Sequence, residues 1–444
     1  HLTAIPCIVQ GDSPLKIHYN YKFCRLIVYI MRCLSRTGSS RLCADSQRLV
    51  SLALEMFHAS SLLESEFCRK KMETLVSRLL HAKKQSVLND AIEYLFSSDM
   101  DGYNCLLEVV EALSESAVIQ VDDKEYHVLL VAIPILAWTR FSIPSGTLSP
   151  ELIETISERF GELILADNVR YAVAPGLYAV DQLPFTHVDV MAVTHGLVQS
   201  IIQHTRFELA SKQETVPFLA DGRYLVAAVM APAGEPLFKW QADPDLANFE
   251  GAKDDCLEQW QKQVTPLVNE MLPGCNIELL LPGGFFNACR IADQLIRPSS
   301  IRAAVHYLTY ALDTQPESLC AVVGGFGKNL DGIQVEEYRI SFYQKDTDKI
   351  VYGIVWPIYG SEDFDSMTWT AQLESSLAMK RGNRQLVQIF DLLRELGVSY
   401  DKTAVERFAM EFCEDCGAPL FADTNGELVH AEMPEDAKRE VQLH

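Results

Sequence analysis

Apolar positions along this chain follow two spacings in succession, and the change falls near residue 120. Before it the spacing is helical. Leu49, Leu52, Leu54 and Met56 begin one pattern, with Asp45 or Ser46 as its cap, and Phe67, Met72, Leu75, Val76, Leu79 and Leu80 carry a second over 64–80. Residues 87–96 and 103–113 predict two more helices, separated by a turn at Asp99-Met100-Asp101-Gly102. Residues 128–133 are then continuously apolar, the mark of a strand covered on both faces, and stop at Pro134. Pro150 opens a helix to about 166, and 169–174 read as a strand ended by Pro175-Gly176. Asp181-Gln182-Leu183-Pro184 precedes a helix over 187–204.

The same order recurs. Residues 224–230 form an apolar run ended by Pro232, 254–272 a helical pattern, and 277–281 a strand ended by Pro282-Gly283-Gly284. Asp293-Gln294-Leu295 and Pro298 follow, and then a helix over 300–312. Trp138 and Trp240 also follow the first strand of each stretch. This grammar predicts a diverged tandem duplication of α/β units. Three more strands, 319–323, 335–343 and 350–357, continue the second unit, the last two as a hairpin around Asp346-Thr347-Asp348. Residues 361–383 are polar and unpatterned, and 386–396 are amphipathic up to Gly397, a helix C-cap.

The expected class is therefore α/β (α+β). Its plan is a leader (1–42), a helical region (43–118), a first α/β unit (119–218), a second (219–360), a linker with an amphipathic helix (361–412), and an acidic knuckle or tail (413–444). A length of 444 residues fits two or three domains. The leader holds six basic residues and one acid through Arg41, and its first Met is Met31. Its apolar run over 26–31 is too short for a signal peptide, so an extension foreign to the fold, without order, is expected there.

Charge narrows the partners. Sixty acids against 38 bases give a net charge of −22, which argues against nucleic acid or an anionic membrane. The acidic surface would face a basic protein partner or simply confer solubility. No apolar run approaches the length of a membrane span. Twelve cysteines lie scattered in apolar surroundings without framework spacing, the usage of free thiols in a reducing, cytoplasmic setting.

One stretch carries specific chemistry: Cys413-Glu414-Asp415-Cys416-Gly417, with His430 thirteen residues on. Two thiols two residues apart can face one zinc ion, with His430 as third ligand and Glu432, Asp423 or a second chain completing the site. Seven acids and no Lys or Arg between Cys413 and Asp436 would favour a cation, and Asn425-Gly426 reads as a hairpin turn. A thioredoxin-type redox pair and a pair of unliganded thiols compete with zinc. A second candidate lies beyond the strand ends. Asp181, Gln182, Asp293, Gln294 and Arg297 could line a ligand pocket between the two units; alternatively, each Asp caps a helix and each Gln holds a turn. Gly324-Gly325-Phe326-Gly327-Lys328 could offer amides to a phosphate or be an ordinary glycine-rich turn. His195 and His306 sit in helices of corresponding position and read as structural. No G-x-S-x-G elbow or H-E-x-x-H helix is present.

The chain resembles a bacterial family designated domain of unknown function 2863. The resemblance rests on Leu130-Val131-Ala132-Ile133-Pro134-Ile135-Leu136-Ala137-Trp138, on Phe141-Ser142-Ile143-Pro144-Ser145-Gly146, and on Leu272-Pro273-Gly274-Cys275. The ending, Glu411-Phe412-Cys413-Glu414-Asp415-Cys416-Gly417-Ala418-Pro419-Leu420 with Val429-His430-Ala431-Glu432, fits as well. It covers about 45–436 and implies a bacterial cytoplasmic protein with no assigned activity. The expectation is a non-enzymatic interaction or regulatory protein with a C-terminal zinc knuckle. Its rival is an enzyme or small-molecule-binding protein with a site between the units. Convergence of the Asp181 and Asp293 segments on one cleft would favour the rival.

Overall fold

The computed structural model describes residues 42–140, 143–207, 209, 219–242, 249–327, 335–345, 347–359, 384–400, 407–414 and 417–434. The expected leader (apart from Leu42) and the polar stretch 361–383 lie outside the described residues, as do Lys328 and Cys416.

The first region is helical: α1 (Ala44–Phe57), α2 (Leu62–His81), α3 (Gln85–Ser98) and α4 (Met100–Glu115). These helices close on Leu49, Leu52, Met72, Val76, Leu88, Leu95, Leu106 and Val110. Cys43, not Asp45 or Ser46, caps α1, its Sγ accepting the Ser46 amide. The expected turn 99–102 shrinks to Asp99 alone. Its carboxylate accepts the Gly102 amide at 2.7 Å and so starts α4 at once.

β1 (Ser116–Val121) and β2 (Lys124–Trp138) form a hairpin. Its turn, Asp122-Asp123, has φ of 50° and 61°, the left-handed pair whose twist suits a two-residue hairpin and which Asp tolerates. β2 runs through Pro134 instead of stopping there: the Pro134 carbonyl still accepts the Leu280 amide at 3.1 Å, and only the missing N–H drops out. Beyond it come β3 (Gly146–Thr147), α5 (Pro150–Leu163), β4 (Arg170–Val173), β5 (Gly176–Ala179) and α6 (His187–Gln203). The second stretch supplies β6 (Ala220–Pro232), α7 (Phe249–Met271), β7 (Asn276–Leu279), β8 (Gly283–Gly284) and α8 (Phe285–Ala311).

β2 and β6 lie antiparallel at the centre of one sheet, in register from Tyr126↔Pro232 to Trp138↔Ala220. The short strands cross over: β4 and β5 pair with β6, and β7 and β8 pair with β2. The two stretches thus share a single sheet and do not fold side by side. Both faces are covered, which explains the unbroken apolar runs. Leu130, Ala132, Val226 and Ala228 face α6 and α8, while Val131, Ile133, Leu225 and Ala227 face α5 and α7.

The remaining strands of the expected second unit belong to a separate sheet. β9 (Leu319–Gly327), β10 (Glu337–Gln344) and β11 (Ile350–Pro357) form an antiparallel meander, and β12 (Ser399–Tyr400) and β13 (Arg407–Ala409) join β9 in parallel. α8 is the strut between the sheets. Phe285, Ala288, Ala292 and Ile296 pack on the first sheet; Ile301, Ala304, Val305 and Leu308 pack on the second with α9 (Arg384–Glu395). The expected loop at Asp293 and the expected helix start at 300 are both overturned, because Pro298 sits inside this 27-residue helix. On the second sheet's other face lies the hairpin β14 (Phe421–Ala422) and β15 (Leu428–Val429), packed on Ile350 and Val355.

Candidate functional site

Residues two apart on a strand share a face, and β6 puts Asp221 and Arg223 together in the interior. Arg223 is fully buried. It ion-pairs with Asp221 and donates to the carbonyls of Ile143 (2.7 Å), Pro144 (2.8 Å) and Gly222 (3.1 Å). The register Ala179↔Arg223 carries Asp181, in a single 3-10 turn after β5, toward Asp221. Burial holds the Asp221 carboxyl above the usual carboxylate range, against the pull of Arg223 and with the help of Asp181. Gln182 turns back so that its Oε1 accepts the Ala179 amide at 2.9 Å, which is the turn-holding role. Asp181 does not cap the next helix: Thr186 does, in a reciprocal box with Asp189.

Asp293 approaches the same place from α8. Its Oδ2 receives Arg297 Nε at 3.1 Å and Nη2 at 3.0 Å, one helical turn on, with both side chains buried. The Arg297 guanidinium lies over the rings of Tyr359 (5.1 Å) and Trp356 (5.9 Å), and Gln385 Oε1 accepts from Trp356 Nε1 at 2.9 Å. Tyr359 hydrogen-bonds Asp293, and burial pushes its hydroxyl well above the usual tyrosine range. Tyr224 feels both Asp221 and Asp293. The Asp181 and Asp293 segments therefore converge, between the two sheets. The cavity that Asp221, Asp293 and Arg297 line holds only about 20 Å³, room for about one water. Gln294 is half-buried on the same helix, outside that lining.

The second candidate is built by the chain's last described segment. Cys413 N–H donates to Ala418 O (2.7 Å), Gly417 N–H to Cys413 O (2.8 Å), and Leu420 N–H to Glu411 O (3.1 Å). The turn requires Gly417, whose φ is +71°. This hairpin is anchored to the sheet by Arg339, fully buried, which pairs with Glu337 Oε1 at 2.6 Å and donates to the carbonyls of Glu411 (2.9 Å) and Leu420. Ser341 Oγ donates to Ala422 O at 2.6 Å. Asp423 also serves the next turn, its Oδ1 accepting the amides of Asn425 and Glu427 at 2.8 Å each. His430 lies between Val429 and Ala431, which share a cluster with Phe412 and Ala418, and its Nδ1 is 3.6 Å from Glu432 Oε1. Among the described residues no three Cys, His, Asp or Glu side chains gather as a metal site, and Cys416 lies outside those residues.

A family model for DUF2863, described as a protein of unknown function, matches residues 34–444. The chain belongs to DUF2863. No curated protein and no solved structure matches it. Among the described residues no helix of this DUF2863 chain is long and apolar enough to cross a membrane.

Sequence reasoning missed four charged residues that organise the DUF2863 core: Asp221, Arg223, Glu337 and Arg339. They carried a legible signal. Asp-x-Arg and Glu-x-Arg inside otherwise apolar strands place opposite charges on one strand face, where burial obliges them to pair. The expectation of a ligand at strand C-termini relied on a parallel sheet; the first sheet is antiparallel, and the rule has no hold here.

Proposed function

We propose that this DUF2863 chain works by binding a protein partner, and that residues 411–434 form a zinc knuckle that closes its C-terminal end. The observation that supports this reading is the turn at Cys413–Gly417. Gly417 N–H returns to Cys413 O, so the chain folds back on itself just after Cys413, and a C-x-x-C spacing across such a turn suits two thiolates on one metal. His430, whose neighbours Val429 and Ala431 share a cluster with Phe412 and Ala418, is the third ligand in this reading, and the exposed Glu432 carboxylate or a second chain supplies the fourth. The zinc would be structural: it would tie residues 413–416 to 430 and hold the hairpin on the sheet that Arg339 already grips. A net charge of −22, with seven acids between Cys413 and Asp436, favours a partner with a basic surface. Free thiols at Cys43, Cys68, Cys105, Cys256, Cys275, Cys289 and Cys320 fit a reducing compartment.

The rival reading puts a small-molecule or catalytic site at the Asp181–Asp293 junction. Convergence of the two segments and the raised Asp221 pKa speak for it. Against it stands the space, about 20 Å³. Arg223 and Arg297 are also already held by carboxylates and carbonyls, so a ligand would have to part the sheets.

The test is metal content of purified variants. Cys413→Ser and His430→Ala should each release the zinc, while Asp423→Asn, which touches only the turn, should keep it. Full zinc in Cys413→Ser would sink the knuckle.

A further inference from the structure

A groove of about 590 Å³ opens where α8 leaves the first sheet, between the end of β2, the start of β7 and the second half of α8. That volume is in the range of small-molecule sites, roughly 300–1,000 Å³. Its charge is the reverse of the molecule's. The chain carries 60 acids to 38 Lys and Arg, yet the described residues lining the groove include Arg140 and Arg302 and no Asp or Glu.

The fold sets these groups on the groove wall. Arg302 and His306 lie four apart on α8 and so share a face. Arg140 leaves the end of β2, and its guanidinium rests over the Tyr310 ring at 5.6 Å, which keeps it at the rim. Arg302 reaches Glu395 Oε2 at 3.5 Å, but both side chains are half exposed, at 48% and 62%. Such pairs are weak, and an incoming anion can replace the carboxylate. Trp138, half-buried, gives a flat apolar wall, and Asn276 and Thr309 add neutral polar groups. Guanidinium groups favour a carboxylate or phosphate, and an indole wall favours a flat apolar body.

We propose that this groove binds a small organic anion: an aromatic or similarly flat body bearing one phosphate or carboxylate, with Arg140 and Arg302 on the anion and Trp138 against the body. The site is separate from the knuckle and does not depend on zinc.

Isothermal titration of the full chain with 1-naphthyl phosphate tests it, with 1-naphthol and inorganic phosphate as the two halves of the probe. The expected result is saturable binding at one per chain, with each half binding at least ten-fold more weakly. Arg302→Gln and Arg140→Gln should each weaken binding about ten-fold, as loss of one charge-assisted contact does. Asn276→Trp, on an exposed strand position, should fill the groove and abolish binding while the melting temperature stays at the wild-type value. Absence of saturable binding at millimolar probe overturns the proposal. So does binding that survives Asn276→Trp, since the probe then sits elsewhere, and so does inorganic phosphate binding as tightly as the ester, which would make the groove a plain anion site.

Discussion

Gly353 and Phe421 carry the docking of the C-terminal hairpin, and the contact can be worked through in numbers. Gly353 lies mid-strand in β11, opposite Ser341, and the Phe421 ring covers it so closely that a Cβ there would stand 2.3 Å from two ring atoms. Phe421 is fully buried against Ile350, Val355, Ala418 and Ala431. Removing the ring in Phe421→Ala should cost about 3–5 kcal/mol. Adding the methyl in Gly353→Ala should cost about 1–3 kcal/mol, because the obstacle is a packed ring and not the loose end of a side chain. If the hairpin opens locally, 3–5 kcal/mol is a fall in hydrogen-exchange protection of roughly 150- to 5,000-fold. It should appear at the amides of Asp423 and Glu432, which bond to Glu427 O and Ile350 O, and not at β2 or β6. The decisive variant is double. Gly353→Ala with Phe421→Leu puts the new methyl where the ring edge was, so its cost should be smaller than the sum of the single costs by about 1 kcal/mol or more. Strict additivity, or protection lost equally in both sheets, would refute the packing argument.

Other outcomes follow from the buried charges. Arg339→Met strands Glu337 in the interior and removes the donors to Glu411 and Leu420, so it should cost about 3–5 kcal/mol in urea unfolding, and adding Glu337→Leu should recover part of that. Burial pushes Glu115, which accepts the Phe286 amide at the start of α8 beside Glu111 and Arg290, up to about 7 from the ordinary 4.5. An acid raised in the folded state holds its proton longer there than in the unfolded chain, so stability should fall as pH rises from about 4.5 through 7, by about 3 kcal/mol at most. Glu115→Gln should flatten that slope when urea midpoints at pH 5 and pH 8 are compared; an unchanged slope contradicts the assignment. Arg297→Met should destabilise more than Arg302→Met, because the first leaves Asp293 buried without its pair and the second breaks only a half-exposed one.

Element types were largely legible in the residues, because unbroken apolar runs at 128–133 and 224–230 demand cover on both faces and helical spacing in 64–80 demands one buried stripe. Pairing was not legible. Nothing in the spacing says that β4 and β5 add to β6, since partner choice is settled by which apolar faces meet, not by order along the chain. The hairpin β1–β2 escaped because Asp122-Asp123 reads as charge, not as a left-handed turn. Pro298 misled in the opposite sense. Proline marks helix ends in isolation, but here each half of α8 is buried on its own sheet, and the Asp293–Arg297 pair bridges the turn where the backbone bond is lost. For the same reason Asp293, expected at a loop like Asp181, is a helix residue that nevertheless reaches the same junction. At the chain's end the Cys413–Gly417 turn was legible from Gly417, while Asp423's commitment to its own hairpin could be seen only with the backbone in place.

The most direct measurement is zinc per chain on full-length protein purified without added metal or chelator. One zinc per chain, or one per two chains if two copies complete the site, is the predicted result. Metal-free protein that keeps full hydrogen-exchange protection at Asp423 and Glu432 would contradict the knuckle and leave the hairpin held by Arg339 and Phe421 alone.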